Sequence, residues 1–223
     1  MTETAFSALI TRVHGNPVQI IQAQVAEDYA FEAGQYLLVY HNDIAIPLSI
    51  ASSPTRLPEL ELHYRSTPGA ADAEAMDKAL LQRALTIGPA TGDVRCGAPE
   101  QPLLVIAGGS GAALAFACAE YRASLPSVAP CTVLWCADEA SDIYADSRLA
   151  TYQPLNLVIK IDSQRSAANE GLLWLQTHAE EFRQHHIVLS GSPGFVYAAT
   201  DTLLERGIAQ AQMQSDVYAY APR

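Results

Sequence analysis

Two short turns rich in glycine and serine are the parts of this sequence best suited to bind a phosphate. The first, "GGSGAALAF", places Gly108, Gly109, Ser110 and Gly111 between an apolar run and a helical pattern. Glycines in such a turn let backbone amides approach a ligand closely, and the start of the following helix favours negative charge. Leu114 stands where the dinucleotide fingerprint has its last glycine. The signal is therefore weak by itself, and an ordinary strand-to-helix turn explains it almost as well.

The second turn, "LSGSPGFVY", contains Ser190, Gly191 and Pro193 and also follows an apolar run. In open α/β sheets, ligands bind outside the carboxyl ends of the parallel strands. Because both turns would lie at that edge of the sheet, we expect them to border one crevice. Two such turns favour a dinucleotide site over two purely structural turns.

The predicted secondary structure differs between the two halves of the chain. The second half alternates the apolar runs "PLLVIAGG", "CTVLWCA", "LNLVIKI" and "HIVLSGS" with helical patterns, which predicts a parallel sheet covered on both faces. The first half has the short runs "SALITRVHG", "VQIIQAQVA", "YLLVYH", "IPLSIAS" and "ELELHYRS", which predict an antiparallel β-barrel. One helix is predicted over "ADAEAMDKALLQRAL". The change at "CGAPEQP" predicts domains of residues 1–98 and 99–223.

Composition excludes several classes of function. The chain has 13 Lys+Arg and 24 Asp+Glu, a net charge of −11, which disfavours binding to nucleic acid or to an anionic membrane surface. No apolar run is long enough to span a bilayer, and the first residues lack the pattern of a secretory signal, so we expect a cytoplasmic protein. Cys131 and Cys136 lie in one predicted strand and face opposite sides, so no metal site is expected.

Six segments taken in order resemble the ferredoxin–NADP reductase superfamily, and most closely its short bacterial NAD(P)H–flavin reductases. They are "FEAGQY", "IPLSIASSP", Gly88-Pro89, "IAGGSG", "LSGSP" and "SDVYAYAPR", and together they span nearly the whole chain. The resemblance implies an N-terminal antiparallel flavin-binding barrel followed by a parallel-sheet nucleotide-binding domain. It also implies an enzyme that transfers hydride from NADH or NADPH to a flavin, either FAD or FMN.

The resemblance further implies roles for particular residues. Ser49 keeps the hydroxyl that lies near the reactive N5 of the flavin in the family, and it is the expected catalytic residue. Tyr218 or Tyr220 matches the C-terminal aromatic residue that covers the outer face of the flavin. The other expected flavin contacts are Pro47, Leu48, Ile50, Ala51, His63 and Arg65, and the expected nucleotide contacts are Gly108, Gly109, Ser110, Gly111, Asp138, Ser190, Gly191 and Pro193.

The flavin-binding strand departs from the family pattern at two positions. The family reads Arg-x-Tyr/Phe-Ser/Thr, whereas this chain reads Ile46-Pro47-Leu48-Ser49. Ile46 removes a charged clamp on a flavin phosphate, and Leu48 removes an aromatic stack. One lost charge-assisted contact is worth about 1.5–3 kcal/mol. A flavin that binds and leaves as a substrate is therefore expected, with Arg65 as the candidate replacement for the missing arginine.

The nucleotide preference depends on two acidic residues after the strand "TVLWCA". Asp138 and Glu139 stand where NADP-selective members of the superfamily tend to have an arginine or serine. Carboxylates there would repel a 2′-phosphate and accept hydrogen bonds from ribose hydroxyls, which favours NADH. An acidic loop that caps a helix is an equally good interpretation.

These observations predict a flavin reductase that binds small-molecule flavin and nicotinamide nucleotide and supplies a downstream flavin-dependent enzyme. Two alternatives remain open at this point. One is a reductase component that holds its flavin firmly and passes electrons to a protein partner. The other is a non-catalytic protein with a degenerate site, for which Ile46 and Leu48 are the best support.

Overall fold

The N-terminal half forms a nearly closed antiparallel barrel. The computed structural model describes residues 5–162 and 169–223. Six strands of this part pair in the order β4-β3-β6-β1-β2-β5, and an additional bridge between Ile50 and Leu62 brings the two edge strands together. The strands are β1 (Phe6–His14), β2 (Val18–Gln24), β3 (Tyr36–His41), β4 (Ile44–Ser49), β5 (Glu59–Arg65) and β6 (Ala84–Ile87).

The helix of this half, α1 (Ala71–Leu81), packs on the barrel core through Ala75, Met76 and Ala79. The predicted helix ran on to Leu85, and its last turn was wrong. Arg83 adopts a positive φ of 56°, and the chain then pairs with β1 as β6. Leu85 is almost fully buried in the barrel, so burial on a strand prevails over local helical spacing.

The C-terminal half is a parallel sheet with helices on both faces. Within the described residues its strand order is β11-β10-β7-β8-β9. The strands are β7 (Leu103–Gly108), β8 (Cys131–Ala137), β9 (Leu155–Ile161), β10 (His186–Ser190) and β11 (Met213–Gln214). The helices are α2 (Ala112–Ala123), α3 (Asp146–Leu149), α4 (Glu170–His178), α5 (Pro193–Glu205) and α6 (Val217–Tyr220). The predicted fold class of barrel plus parallel α/β sheet is confirmed, although the short strand β11 was not predicted.

The two faces of this sheet carry separate apolar cores. Cys131 belongs to the core that includes α2, and Cys136 belongs to the core that includes α4 and α5, so the two cysteines face opposite sides as predicted. Across the described ranges, no helix is both long and apolar enough to cross a bilayer.

Residues 88–102 link the barrel to the sheet and are tightly held by α2. Arg122 is 2% exposed, and its guanidinium donates hydrogen bonds to five backbone carbonyls. Cys96 also forms a disulfide with Cys118 of α2, which the sequence reasoning missed. The predicted domain boundary at residues 98/99 falls within this linker and stays a prediction. The five carbonyl acceptors are those of Cys96, Ala98, Pro99, Gln101 and Ala129.

Candidate active site

A cleft between the barrel and the parallel sheet contains two adjoining cavities. The larger has a volume of about 690 Å³ and is bordered by β4, the end of β5, the start of α1, the two glycine turns and the C-terminal segment. The smaller, of about 270 Å³, lies on the sheet side. Both cavities are lined by Arg65, Gly108, Ser110 and Ser192, so these residues mark the junction between them.

The barrel wall of the larger cavity is formed by β4. Ile46 and Leu48 line the cavity but are only 2% and 7% exposed, because their side chains pack in the barrel core. Pro47 is exposed on the alternate face, and Ser49 ends the strand half-buried at the cleft. Within the described part of the chain the Ser49 hydroxyl has no hydrogen-bond partner. The wall therefore presents an apolar surface that ends in one hydroxyl with hydrogen-bonding capacity to spare.

Two residues expected to line the flavin are placed elsewhere. Ile50 and Ala51 are buried and do not border either cavity. The Ile50 amide donates to the Gln35 carbonyl at 3.1 Å, and the Ala51 amide donates to the Glu61 carbonyl at 2.8 Å. The first bond continues the β3–β4 pairing and the second joins the end of β4 to β5, so neither amide is free for the flavin contact that was expected.

The two glycine turns meet each other at the sheet side of the cleft. Gly109 has a φ of 54°, and a β-carbon added there would meet nothing within 4 Å, so the turn opens onto free space. The Trp135 indole holds this turn by donating a hydrogen bond to the Gly109 carbonyl at 3.0 Å. A β-carbon on Gly111 would lie 2.8 Å from the Ser190 carbonyl oxygen. Glycine at position 111 is what lets the two turns touch.

Pro193, a third expected contact, is also absent from both cavity walls. It is the first residue of α5 and follows Ser192, which caps that helix by accepting a hydrogen bond from the Phe195 amide at 3.4 Å. Ser192 and Gly191 border the cleft instead. Asp138 lines the smaller cavity together with Asn169, the residue that caps α4.

A buried polar cluster joins the two halves directly behind the larger cavity. Glu61 of β5 accepts two hydrogen bonds from the Arg148 guanidinium, at 2.5 and 3.0 Å. The His63 imidazole contacts the same carboxylate through Nε2 at 2.9 Å and the Tyr144 hydroxyl through Nδ1 at 2.9 Å. Arg148 also lies over the Phe116 ring, 4.5 Å from its centroid. Because Arg148 and Tyr144 belong to the C-terminal half, this cluster fixes the barrel against the sheet.

The charge states in this cluster follow from burial and from the partners. Burial lowers the pKa of His63 despite the opposing effect of Glu61, so the imidazole is neutral. Burial alone would raise the pKa of Glu61, but hydrogen bonds from His63 and Arg148, together with the charge of Arg148, hold it far below its usual range. An ionised carboxylate only accepts, so His63 donates from Nε2 and Tyr144 donates to Nδ1. Both ring nitrogens of His63 are therefore occupied, and His63 borders the larger cavity without a nitrogen for flavin.

Arg65 spans the cleft at the junction of the two cavities. It ends β5, and its guanidinium forms an ion pair with the Asp142 carboxylate at 2.6 Å, on the opposite side of the cleft. The Arg65 side chain keeps 42% of its surface exposed, whereas Asp142 is buried. Among the described residues that border the two cavities, Arg65 is the one arginine or lysine, and a carboxylate already opposes it.

The C-terminal segment distinguishes the two candidate tyrosines. The Tyr218 hydroxyl is bonded to the Thr200 hydroxyl of α5 at 2.7 Å, away from both cavities. Tyr220 is 65% exposed and borders the larger cavity, so it is the one that fits the covering role. Asp216 borders the same cavity, and burial, with a smaller effect from Asp93, raises its pKa to about 6.

Comparison with known proteins agrees with this architecture. The chain is 27% identical to a "Probable flavin reductase" of Photobacterium leiognathi over 96% of this chain and 99% of that protein. It is 24% identical to reductase component 2 of a terephthalate 1,2-dioxygenase from Comamonas sp., over 91% of this chain but only 63% of that one. No protein-family model matches.

Solved structures give the same result for the fold. The ferredoxin reductase of a carbazole 1,9a-dioxygenase superposes with a TM-score of 0.80 at 18% identity, covering 97% of this chain and 70% of that one. A ferredoxin–NADP⁺ reductase from Neisseria gonorrhoeae with bound FAD and NADP gives 0.72 at 17% identity, covering 96% and 98%. The chain has the ferredoxin–NADP reductase fold. The resemblance inferred from sequence to this superfamily, and to its short flavin reductases, is confirmed.

Several polar residues of the cleft were not predicted from the sequence. Asp216 lies inside the quoted segment "SDVYAYAPR", and Tyr64 directly precedes Arg65, so both were within reach of sequence reasoning. Asp142 lies in the segment that follows β8, and Asn169 immediately precedes α4, so no local pattern indicates that either residue borders the cleft. The polar residues that were not predicted are Tyr36, Tyr64, Asp72, Asp142, Asn169, Ser192, Ser215 and Asp216.

Proposed function

We propose that the protein is an NAD(P)H-dependent flavin reductase in which the flavin exchanges as a substrate. The observation that carries this proposal is the continuous cleft from the Ser49 end of β4 to the glycine turns at Gly109 and Gly191. Flavin and nicotinamide nucleotide supply the hydride chemistry when both are bound, and the protein supplies positions for them.

Pro47, Ser49 and Asp216 have separate roles in the proposed reaction. The apolar wall around Pro47 fits an aromatic ring and keeps water from it. The Ser49 hydroxyl has spare hydrogen-bonding capacity where the wall ends, so it can orient the reacting edge of that ring. Asp216, with a pKa of about 6, can hold or release a proton near neutral pH inside the same cavity.

Weak flavin binding follows from the charges at the site. Ile46 provides no cation, and Arg65 is shared with Asp142. A flavin phosphate would have to compete with a carboxylate that is already 2.6 Å from the guanidinium. The affinity for phosphorylated flavins is therefore expected to be low enough for exchange during turnover.

The test is oxidation of NADH and NADPH by the purified protein, with riboflavin, FMN or FAD added in turn. We expect turnover that requires added flavin and saturates with it. A folded protein that oxidises neither nucleotide with any of the three flavins would contradict the proposal and leave a binding protein as the better explanation.

NADH rather than NADPH is the proposed donor. The Asp138 carboxylate borders the smaller cavity, which lies on the far side of Gly108 and Ser110 from the larger one, and we assign the adenosine ribose to it. A 2′-phosphate there would be repelled, so Asp138→Asn should narrow the ratio of kcat/KM for NADH over NADPH by about tenfold. Glu139→Gln is the control, because Glu139 is exposed and borders neither cavity. A wild-type preference for NADPH would contradict this assignment.

The second candidate is a reductase component that passes electrons to a protein partner. The similarity to the terephthalate dioxygenase reductase component favours it, although this chain spans less than two thirds of that protein. A flavin that stays bound through gel filtration, together with slow turnover of free flavins, would support this candidate over a stand-alone reductase.

A further inference from the structure

The C-terminal segment, residues 215–223, borders the larger cavity with one face and packs towards α5 with the other. Asp216 and Tyr220 are one helical turn apart and both border the cavity, and the Tyr220 amide donates to the Asp216 carbonyl at 3.3 Å. Tyr218 and Ala221 border neither cavity and pack against the core that includes α5. Tyr220 is 65% exposed, so its position depends on how the rest of the segment is held.

The helix of this segment is too short to hold itself in place. α6 spans four residues, far fewer than an isolated helix needs in water. Pro222 has no backbone N–H, and a residue that precedes a proline is disfavoured in the α conformation. Ala221 accordingly leaves the helix at a φ of −134°. The segment therefore keeps its conformation through contacts with α5.

Three side chains on one face of α5 receive the segment. Tyr197, Thr200 and Asp201 are spaced i, i+3 and i+4 along the helix, which brings them together on its surface. The Thr200 hydroxyl is bonded to the Tyr218 hydroxyl, and the Tyr197 hydroxyl donates to the Ala221 carbonyl at 2.9 Å. Each of these contacts fastens a residue that lies within two positions of Tyr220.

Arg223 adds a charged contact on the far side of Pro222. Its guanidinium donates two hydrogen bonds to the Asp201 carboxylate, one of them at 2.7 Å, and lies over the Tyr197 ring, 4.4 Å from the centroid. A bidentate pair of this kind fixes orientation as well as distance, and the ring restricts the guanidinium further. The side chains of Arg223 and Asp201 are 50% and 49% exposed. We therefore expect this contact to fix the segment locally and to add little to the stability of the fold.

We propose that Arg223 is a positioning residue: by clamping the segment to Asp201, it keeps Tyr220 at the mouth of the larger cavity and slows the exit of flavin. This inference rests on the proposed function, because it assumes that the exchangeable flavin lies in the larger cavity. Tyr220 stands between two anchors, which are the hydrogen bond of Tyr218 before it and the contacts of Arg223 after it. Loosening the second anchor frees the tyrosine to leave the cavity mouth.

The experiment measures flavin dissociation without NADH, by stopped-flow dilution of the complex and recovery of flavin fluorescence. Riboflavin and FMN are the separate probes. Arg223→Met should raise the dissociation rate constant by roughly three- to tenfold for both. Tyr220→Ala should raise it at least as much. In the Tyr220→Ala background, Arg223→Met should change it by less than about twofold, because no ring is left to position.

Two further variants separate positioning from the general effect of a lost ion pair. Arg183→Met is the matched control, because it breaks another exposed bidentate pair, that with Glu180, outside both cavities. It should leave the dissociation rate constant of both probes unchanged. Arg223→Lys keeps the charge but not the planar fork of donors, so its rate constant should lie between those of the wild type and Arg223→Met.

Several results would overturn the inference. They are equal rate constants for the wild type and Arg223→Met, an equal response to Arg183→Met, or an undiminished effect of Arg223→Met in the Tyr220→Ala background. An effect confined to FMN would make Arg223 a direct charge contact and would also overturn it.

Binding is measured apart from turnover, so failure of this inference can be told from failure of the proposed function. The expected pattern of dissociation without oxidation of NADH or NADPH would refute the proposed function alone. Flavin-dependent oxidation together with independent effects of Arg223→Met and Tyr220→Ala would refute the positioning role alone. A wild type that binds neither probe would overturn both.

Discussion

Replacing Glu61 by glutamine tests whether the buried polar cluster holds the two halves together. Glu61 is fully buried, and its carboxylate accepts two hydrogen bonds from Arg148 and one from His63. Removing one partner of a buried ion pair costs about 3–5 kcal/mol. The lower end applies here, because the Arg148 side chain keeps 32% of its surface exposed and a glutamine oxygen can still accept from His63.

A loss of about 3 kcal/mol lowers the melting temperature of a protein of this size by roughly 6–12 °C. Calorimetry of the wild type and Glu61→Gln measures it, and Glu59→Gln is the control. Glu59 lies two residues away on β5, is 61% exposed and pairs with Arg56, so its loss should cost at most about 1 kcal/mol. A double-mutant cycle with Arg148→Met isolates the pair itself.

The pH dependence gives a second, independent readout. The pKa of Glu61 is held below its ordinary value of 4.5, so its stabilising effect is complete above that pH and disappears as the pH falls further. The difference in melting temperature between wild type and Glu61→Gln should therefore shrink below about pH 4.5. A difference no larger than that of Glu59→Gln at pH 7, or one that grows on acidification, would refute the reasoning.

Three further predictions concern the cleft. Ser49→Ala should lower kcat by roughly tenfold or more while changing the flavin Kd by less than about threefold. Steady-state kinetics measures the first quantity and fluorescence titration the second. An unchanged kcat would count against the proposed role of Ser49. Tyr220→Ala should change kcat or KM without lowering the melting temperature. Tyr218→Phe should lose about 1 kcal/mol of stability, because it removes the hydrogen bond to Thr200, and should keep the wild-type kcat and KM. The opposite pattern would reverse the assignment of the two tyrosines. Because the pKa of Asp216 is raised from 3.8 to about 6, its ionisation disfavours the folded state as the pH rises through that window. Asp216→Asn should therefore be more stable than the wild type at pH 8 and equal to it below about pH 4, and a variant less stable at pH 8 would contradict this sign.

The fold could be predicted from the sequence because the local patterns agree with the long-range packing. Alternating runs such as "ELELHYR" became β5, and continuous apolar runs such as "CTVLWCA" became β8 at the centre of a covered sheet. The exceptions were the short strand β11, which was not predicted, and the end of α1, where burial of Leu85 in the barrel core overrides the helical spacing.

The site was only partly predictable because it depends on contacts between distant elements. The family resemblance was enough to expect Ser49 and Pro47 at the cleft, but it did not indicate that the Ile50 and Ala51 amides would donate to the Gln35 and Glu61 carbonyls. The pairing of Arg65 with Asp142 joins residues 77 positions apart in two halves of the chain, and no local pattern indicates it. Whether the remaining site residues bind flavin or nucleotide stays a prediction.

Arg122 fixes residues 96–101 to α2, and this affects how ligands can enter and leave the cleft. A guanidinium that donates to five carbonyls, next to a disulfide between Cys96 and Cys118, fastens the end of the linker to α2, so residues 96–101 move with the parallel sheet. Swinging the two halves apart would have to bend residues 88–95 and would break the Glu61–Arg148 and Arg65–Asp142 ion pairs. Exchange of flavin and nucleotide without breaking these pairs proceeds through the existing mouth of the cleft, which is bordered by the exposed Tyr220.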